Sequence, residues 1–426
     1  MSNDLQRADK GFLGTVKSLM MSNADRANII NRSVAEYHPC EVDAFFDPSS
    51  GVYNALISGG NSRIRTSAMV AQVLSAVQNN FPVIVLHEGN HHLEQQLRVN
   101  LQPTGKYCEI SPSNPVFEPF YGLDILEITN QILDVATKDY DIKYNVRYYL
   151  EGLGAYLKNN KKNPSFRMLS TCPHALIFDK IDDLNMRGII SDSEAQEIKS
   201  KLMMGQSENY KLDSFLASMR MEVSPILYQN RAARPVNIMS AIKHDQVLCF
   251  DIVSMSNKIL LNTLMFQLKL AQTRGLQYTV IIDSLPINAN EDYANYVKSP
   301  SDKICRMFSS DDFYAMVGGD EKVFSSVVGG TQILVVMGHS SGHSAMKWAD
   351  VFGQYDKYEQ SYSTSRGSSK ATPFSIFSSP NRNQTVSVSK SREYIVKPEA
   401  IARMGANEAY VLSVARGELA HLTLIG

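Results

Sequence analysis

The sequence predicts an α/β protein built on a mostly parallel sheet and interrupted by an inserted all-helical domain. Three observations carry that expectation. Residues 52–77 (VYNALISGGNSRIRTSAMVAQVLSAV) read as strand, glycine turn and helix. The apolar run Ala55, Leu56, Ile57 stops at Gly59 and Gly60, and Met69, Val70, Val73, Leu74 and Val77 then recur at the spacing of one buried helical face. Short continuous apolar runs follow at 81–86 (FPVIVL), 246–252 (QVLCFDI), 277–283 (QYTVIID) and 331–338 (TQILVVMG), as in parallel strands buried on both faces. Between them, over 125–234, the period becomes that of helices.

Composition sets the frame. A chain of 426 residues, 44% hydrophobic and 20% charged, can bury a large core and is expected to form two domains. The formal net charge of −1 gives no global basic field for nucleic acid, which leaves only a local patch for such a role. Cys40, Cys108, Cys172, Cys249 and Cys305 are scattered with no C-x-x-C pair, as expected of buried thiols in a reducing compartment. No run of about 18 apolar residues and no signal-peptide pattern occurs, so no direct membrane span is expected.

In chain order, 1–50 form an N-terminal lead-in, read as a short helix and a loop broken at Pro39 ahead of the first core strand. The helix after the glycine turn is expected to open near Thr66. A third strand at 106–111 ends in the turn-rich Ser111, Pro112, Ser113, Asn114, Pro115. Ile125, Ile128, Ile132, Leu133 and Val135 make a helical stripe, continued by Tyr148, Tyr149, Leu150, Leu153 and Leu157. The basic tract 158–162 reads as a solvated helix end. Ser191 and Glu194 have capping-box spacing ahead of Ile198 and Leu202. A helix at 259–273 lies between two strands, another strand is expected at 304–308, and 361–383, rich in serine, is expected to be an exposed or mobile segment. Short strands are expected to fill 394–425. The expected domains are thus 51–124 with 235–426, and the helical insertion 125–234.

The glycine turn is where chemistry would sit. A phosphate-binding loop has the pattern G-x-x-x-x-G-K-[ST]. Gly59 fits the first glycine and Thr66 the hydroxyl that holds magnesium, but Ile64 stands at the second glycine and Arg65 at the lysine. Loop amides that cradle phosphate often need left-handed torsions, which cost a β-branched residue about 1–2 kcal/mol. A planar guanidinium does not replace a compact ammonium in a tight cradle. On this motif alone a plain strand-turn-helix connection is the favoured reading. The candidate nucleotide-binding set is Gly59, Gly60, Asn61, Ser62, Arg63, Ile64, Arg65, Thr66 and Ser67. Asp283, at the carboxyl end of an apolar run, is the second candidate magnesium residue beside Thr66. Ser284 follows it.

The order of these pieces over 53–425 resembles the conjugative coupling ATPases of type IV secretion, the TraG/TraD type, and more distantly the FtsK-like DNA motors. The resemblance runs through the corner IVLHEGN at 84–90, the Pro-rich PVFEPFYGLD at 115–124, the helical segment, VIID ending at Asp283, ICRMFSSDDFYAMVGG, TQILVVMGHSSGHSAMKWADVFG and the closing KPEAIARMGANEAYVLSVARGELAHLTLI. It implies a RecA-like P-loop NTPase fold, ATP and Mg as cofactors, and partners among type IV secretion or conjugation components. It also implies DNA as a ligand, a homo- or hetero-hexameric ring, and a cytoplasmic location at the inner face of the membrane through partners.

The departures from that family decide the functional expectation. Ser284 stands at the catalytic glutamate, Phe308 at the sensor glutamine, His87 at the corner aspartate, and only Lys298 remains for the basic residue after the acidic strand. Losing cradle, base and sensor together removes most of the positioning on which phosphoryl transfer depends. The expectation is a pseudo-ATPase, a structural or regulatory component of conjugative DNA transfer or secretion. The alternative is an active ATP-driven DNA translocase in which Arg65 replaces lysine and Thr66 with Asp283 still holds magnesium. The outsider is a zinc hydrolase, since 87–91 (HEGNH) fits H-E-x-x-H. That chemistry needs both histidines on one helical face, whereas His87 follows directly on a strand and Gly89, Asn90 form a turn pair. His339 and His343 are expected to cap the helix that carries Trp348.

Overall fold

Runs of β-branched and aliphatic residues become fully buried strands, and the glycine and asparagine positions between them become turns. The computed structural model describes residues 34–36, 40–41, 53–136, 140–171, 174–229, 234–252, 258–286, 291–299, 301–369, 379–413 and 418–425. The expected lead-in helix, Cys172 and residues 370–378 of the serine-rich stretch lie outside the described residues. The chain divides into two compact units, one of Met1–Cys40 with Val336–Thr423 and one of Glu41–Val335 with Leu424–Gly426.

After two short strands, β1 (Val34–Glu36) and β2 (Cys40–Glu41), the larger unit begins its sheet with β3 (Ala55–Ser58). It continues through β4 (Val83–His87), β5 (Tyr107–Ile110), β6 (Val247–Asp251), β7 (Tyr278–Asp283), β8 (Ile304–Ser310) and the start of β9 (Ile333–Met337). The strands lie side by side in the order β9-β3-β8-β7-β4-β6-β5, and every pair from β3 to β5 is parallel. One strand, β8, separates the glycine-turn strand β3 from the acidic strand β7. This is the expected α/β class, with a large, mostly parallel sheet and many helices. The carboxyl ends of the six strands from β3 to β5 in this order share one edge of the sheet, where ligands bind in open α/β folds.

Helices α1 (Ser62–Gln78) and α2 (His91–Leu101) follow β3 and β4. The stretch expected to be helical carries α3 (Ile125–Ala136), α4 (Val146–Asn159), α5 (Phe166–Thr171), α6 (His174–Met186), α7 (Asp192–Gly205) and α8 (Asn209–Val223). The stripe residues Ile128, Ile132, Tyr149, Leu150, Leu153 and Leu157 are buried, while Tyr148 is exposed. The capping box Ser191 with Glu194 is formed. Where the chain enters and leaves this helical stretch it is stitched to itself: Phe117 N–H donates to Ile226 O, and Glu118 N–H to Val236 O. No helix among the described residues is long and apolar enough to cross a membrane.

The smaller unit contains a helix at Gly342–Phe352, the strands β10 (Gln354–Ser369) and β11 (Ser379–Tyr394), the antiparallel pair β12 (Glu408–Ser413) and β13 (Glu418–Ile425), and β1 parallel to β13. One expectation is corrected here and another gains a structure. Within the serine-rich stretch, Gln354–Ser369 and Ser379–Tyr394 pair antiparallel along their full lengths as a two-stranded ribbon. His339 does not cap the helix, because Ser341 takes that role and His339 is buried with its Nδ1 2.7 Å from Met337 O and its Nε2 accepting from Trp348 Nε1 at 3.1 Å.

Candidate functional site

The local sequence at the glycine turn dictates a shorter loop than the nucleotide pattern requires. Gly59 (φ 91°) and Gly60 (φ 63°) reverse the chain with torsions that suit residues lacking Cβ. Asn61 then caps the helix, its side chain accepting from Arg63 N–H at 2.9 Å. The helix therefore opens at Ser62 and not near Thr66, so Ser62, Arg63, Ile64 and Arg65, expected to wrap a phosphate, form its first turn. Ile64 escapes the expected torsional cost because it is helical and packs into the core. No extended cradle remains for it to disrupt.

Arg65 folds back over this turn. Its Nη1 donates to Gly59 O and Gly60 O at 3.0 Å each, so carbonyl oxygens of the turn face the protein's own guanidinium. The group is buried, which lowers its pKa, and the nearby Asp283 and Asp311 pull in the opposite direction. The Arg65 guanidinium thus lies within the field of both carboxylates, with its Nε unpartnered.

Thr66 and Asp283 are brought together as the sequence expects of a magnesium pair, but a third residue joins them. Asn90 Nδ2 donates to Asp283 Oδ2 at 2.7 Å and to Thr66 Oγ1 at 3.2 Å. The amide is locked in this orientation because Asn90 Oδ1 accepts from Leu93 N–H at 3.0 Å as the cap of α2. Its backbone N–H donates to His87 Nδ1 at 3.2 Å, which leaves the ring proton of neutral His87 on Nε2. Burial lowers the His87 pKa, against the pull of Glu94, Asp251 and Asp283. The Asn90 amide thus takes one acceptor lone pair on each of the two oxygens that a hard cation would use here.

The remaining expected positions are also spoken for. Ser284 adopts a left-handed torsion (φ 59°), donates its N–H to Ser309 O at 2.8 Å and its Oγ to Asp283 Oδ1 at 3.2 Å. Phe308 is buried with its ring 5.8 Å from that of Phe313, and register places Ser309, not Phe308, beside Asp283. Ser67 follows in the helix, half-buried. His87 ends β4 and His91 begins α2, so H-E-x-x-H is a strand-turn-helix junction and not one helical face. The residues that sequence reasoning missed are Asn90 and Ser309. The available signal for Asn90 was an asparagine opening a helix straight after a buried strand.

No protein-family model and no curated protein matches the chain. Among solved structures it is similar to the bacterial conjugative coupling protein TrwBdeltaN70 in an unbound monoclinic form, at 12% identity over 94% of this chain and 91% of that one, with a TM-score of 0.48. It is similar to the plasmid coupling protein TrwB in complex with the non-hydrolysable ATP analogue ADPNP, at 13% identity over 94% and 92% of the two chains, TM-score 0.47. It is also similar to VirB4 of Thermoanaerobacter pseudethanolicus, at 8% identity over 88% and 89%, TM-score 0.42. Likeness of this degree carries nothing about activity.

Proposed function

We propose that this chain is a degenerate relative of the type IV coupling ATPases, a pseudo-ATPase that acts as a structural or regulatory component of conjugative DNA transfer or secretion. The observation that carries the loss of hydrolysis is the Asn90 amide bridging Thr66 and Asp283, the two groups a catalytic magnesium would need. The short turn capped at Asn61 and the Arg65 guanidinium seated on it support the same reading. The order of sequence pieces over 53–425 supports the partner class. The chain then works by shape: the helical insertion 125–234, with Met186, Tyr210 and Met221 exposed, and the serine-rich ribbon are its partner surfaces.

The test is titration of the purified chain with a fluorescent ATP analogue and magnesium, with phosphate release followed in the same samples with and without DNA. The expected result is a Kd weaker than about 1 mM, worth less than about 4 kcal/mol, and no release. Micromolar binding that is lost in Arg65→Ala and Asp283→Ala, with DNA-stimulated release, would establish the active translocase instead. An interaction screen that recovers no secretion, conjugation or DNA-processing partner would overturn the assignment of role.

A further inference from the structure

The H-E-x-x-H stretch has a use that the nucleotide site does not absorb. His91 and Glu94 are three residues apart on the first turn of α2 and so share a face. Asp251 ends β6, directly opposite His87 in the parallel register with β4. One ligand atom from each of His91, Glu94 and Asp251 lies within 4.8 Å of the others. His91 Nδ1 is 3.0 Å from Glu94 Oε2, and Asp251 Oδ1 accepts from Gly89 N–H at 3.1 Å.

A second, independent observation points into the same place. His87 is fully buried, its Nε2 has no hydrogen-bond partner, and that atom faces Glu94 Oε1 at 3.5 Å. The ring proton sits on Nε2 because Nδ1 accepts from Asn90 N–H. A buried N–H within reach of a ligating carboxylate can supply the second layer around a metal, orienting the group once the ion draws them together.

We propose that His91, Glu94 and Asp251 bind a divalent transition metal ion, zinc by preference, with His87 as the positioning residue behind Glu94. One imidazole and two carboxylates suit zinc better than magnesium or calcium, which favour all-oxygen shells. Donor atoms held at about 2.0–2.2 Å from one zinc ion lie about 3–4 Å apart, so the His91–Glu94 pair is already at coordination distance and Asp251 has to close by about an ångström. Exposed His91 leaves the outer side of the ion to water. The site does not depend on the reading of Thr66 and Asp283.

The full chain, stripped with chelator, is dialysed against zinc and the bound metal counted. One zinc ion per chain is expected, with affinity reduced at least tenfold in each of His91→Ala, Glu94→Gln and Asp251→Asn. His92→Ala, an exposed neighbouring imidazole, is expected to bind as the parent does. His87→Asn is expected to keep the stoichiometry and lose affinity about 10–100-fold, as such supporting partners do. Circular dichroism of each metal-free variant checks its fold, and His91, lying at the surface, can be removed without disturbing the core. Absence of stoichiometric zinc in the parent, or equal loss in His92→Ala and His91→Ala, would overturn the proposal and leave an ion pair between His91 and Glu94.

Discussion

His339 shows how a single residue acquires its role from neighbours it cannot choose. Its Nδ1 donates to Met337 O and its Nε2 accepts from Trp348, a neutral ring with both nitrogens used. Trp348 is fully buried. Trp348→Phe would remove the indole N–H that donates to Nε2 together with the larger ring, so a loss of about 2–4 kcal/mol is expected in chemical denaturation followed by circular dichroism. A loss below about 0.5 kcal/mol would mean that water reaches the imidazole. The sequence offered two histidines ahead of a helix, which reads as capping. It could not show that Ser341 takes the cap and frees His339 to turn inward. Asn90 was hidden for a related reason, since its partners Thr66 and Asp283 are 24 and 193 positions away.

At the scale of elements, glycines decide how closely helices meet. A Cβ added to Gly205, at the end of α7, would lie 2.5 Å from Tyr149 Cβ and 2.6 Å from Tyr149 N on α4. Backbone cannot withdraw as a side-chain tip can, so Gly205→Ala is expected to destabilise by about 1–3 kcal/mol despite the better helix propensity of alanine. Gly329, in the helix Glu321–Gly329, has nothing within 4 Å of an added Cβ, and Gly329→Ala is expected to stabilise by about 0.5–1 kcal/mol. Thermal or urea melts of the two variants should move in opposite directions; the same sign in both would sink the packing argument.

The root of the ribbon carries a pH-sensitive group. Glu393 accepts from Lys397 and Tyr355 and faces Lys357, and these contacts hold its pKa down to about 2. A carboxylate depressed in the folded state contributes stability that is present above its unfolded pKa, about 4.3, and is lost as pH falls toward 2. NMR titration of the Glu393 carboxyl should find a midpoint well below 4, and a midpoint above 4 would discount the ion-pair cluster. The ribbon itself escaped the sequence because strands are read from a buried, alternating face, and a serine-rich two-stranded ribbon supplies little such alternation.

At the scale of the whole molecule, the order of strands in space explains both what was legible and what was not. Each buried run announced itself as a strand because it is apolar on both faces, and the helix stripes announced themselves by period. The neighbours of each strand were not written locally. β3 is flanked by β8 and β9, with Asn54 just ahead of it joined to Arg306 across 252 positions and to Gln332 across 278. The glycine turn therefore has no sheet to stand on until β8 and β9 are in place, and such distant pairing makes closure slow. β4 differs, since both its neighbours, β6 and β7, precede residue 299. A chain truncated after residue 299 should exchange the amide protons of Ala55–Ser58 at rates close to those of an unfolded peptide, while Val83–His87 keeps measurable protection. Hydrogen exchange read by mass spectrometry on peptides covering the two strands makes the comparison directly. Equal protection of both strands in the truncated chain would show that α1 and the core under it hold β3 without its sheet partners, and the glycine turn would then be a locally folded element.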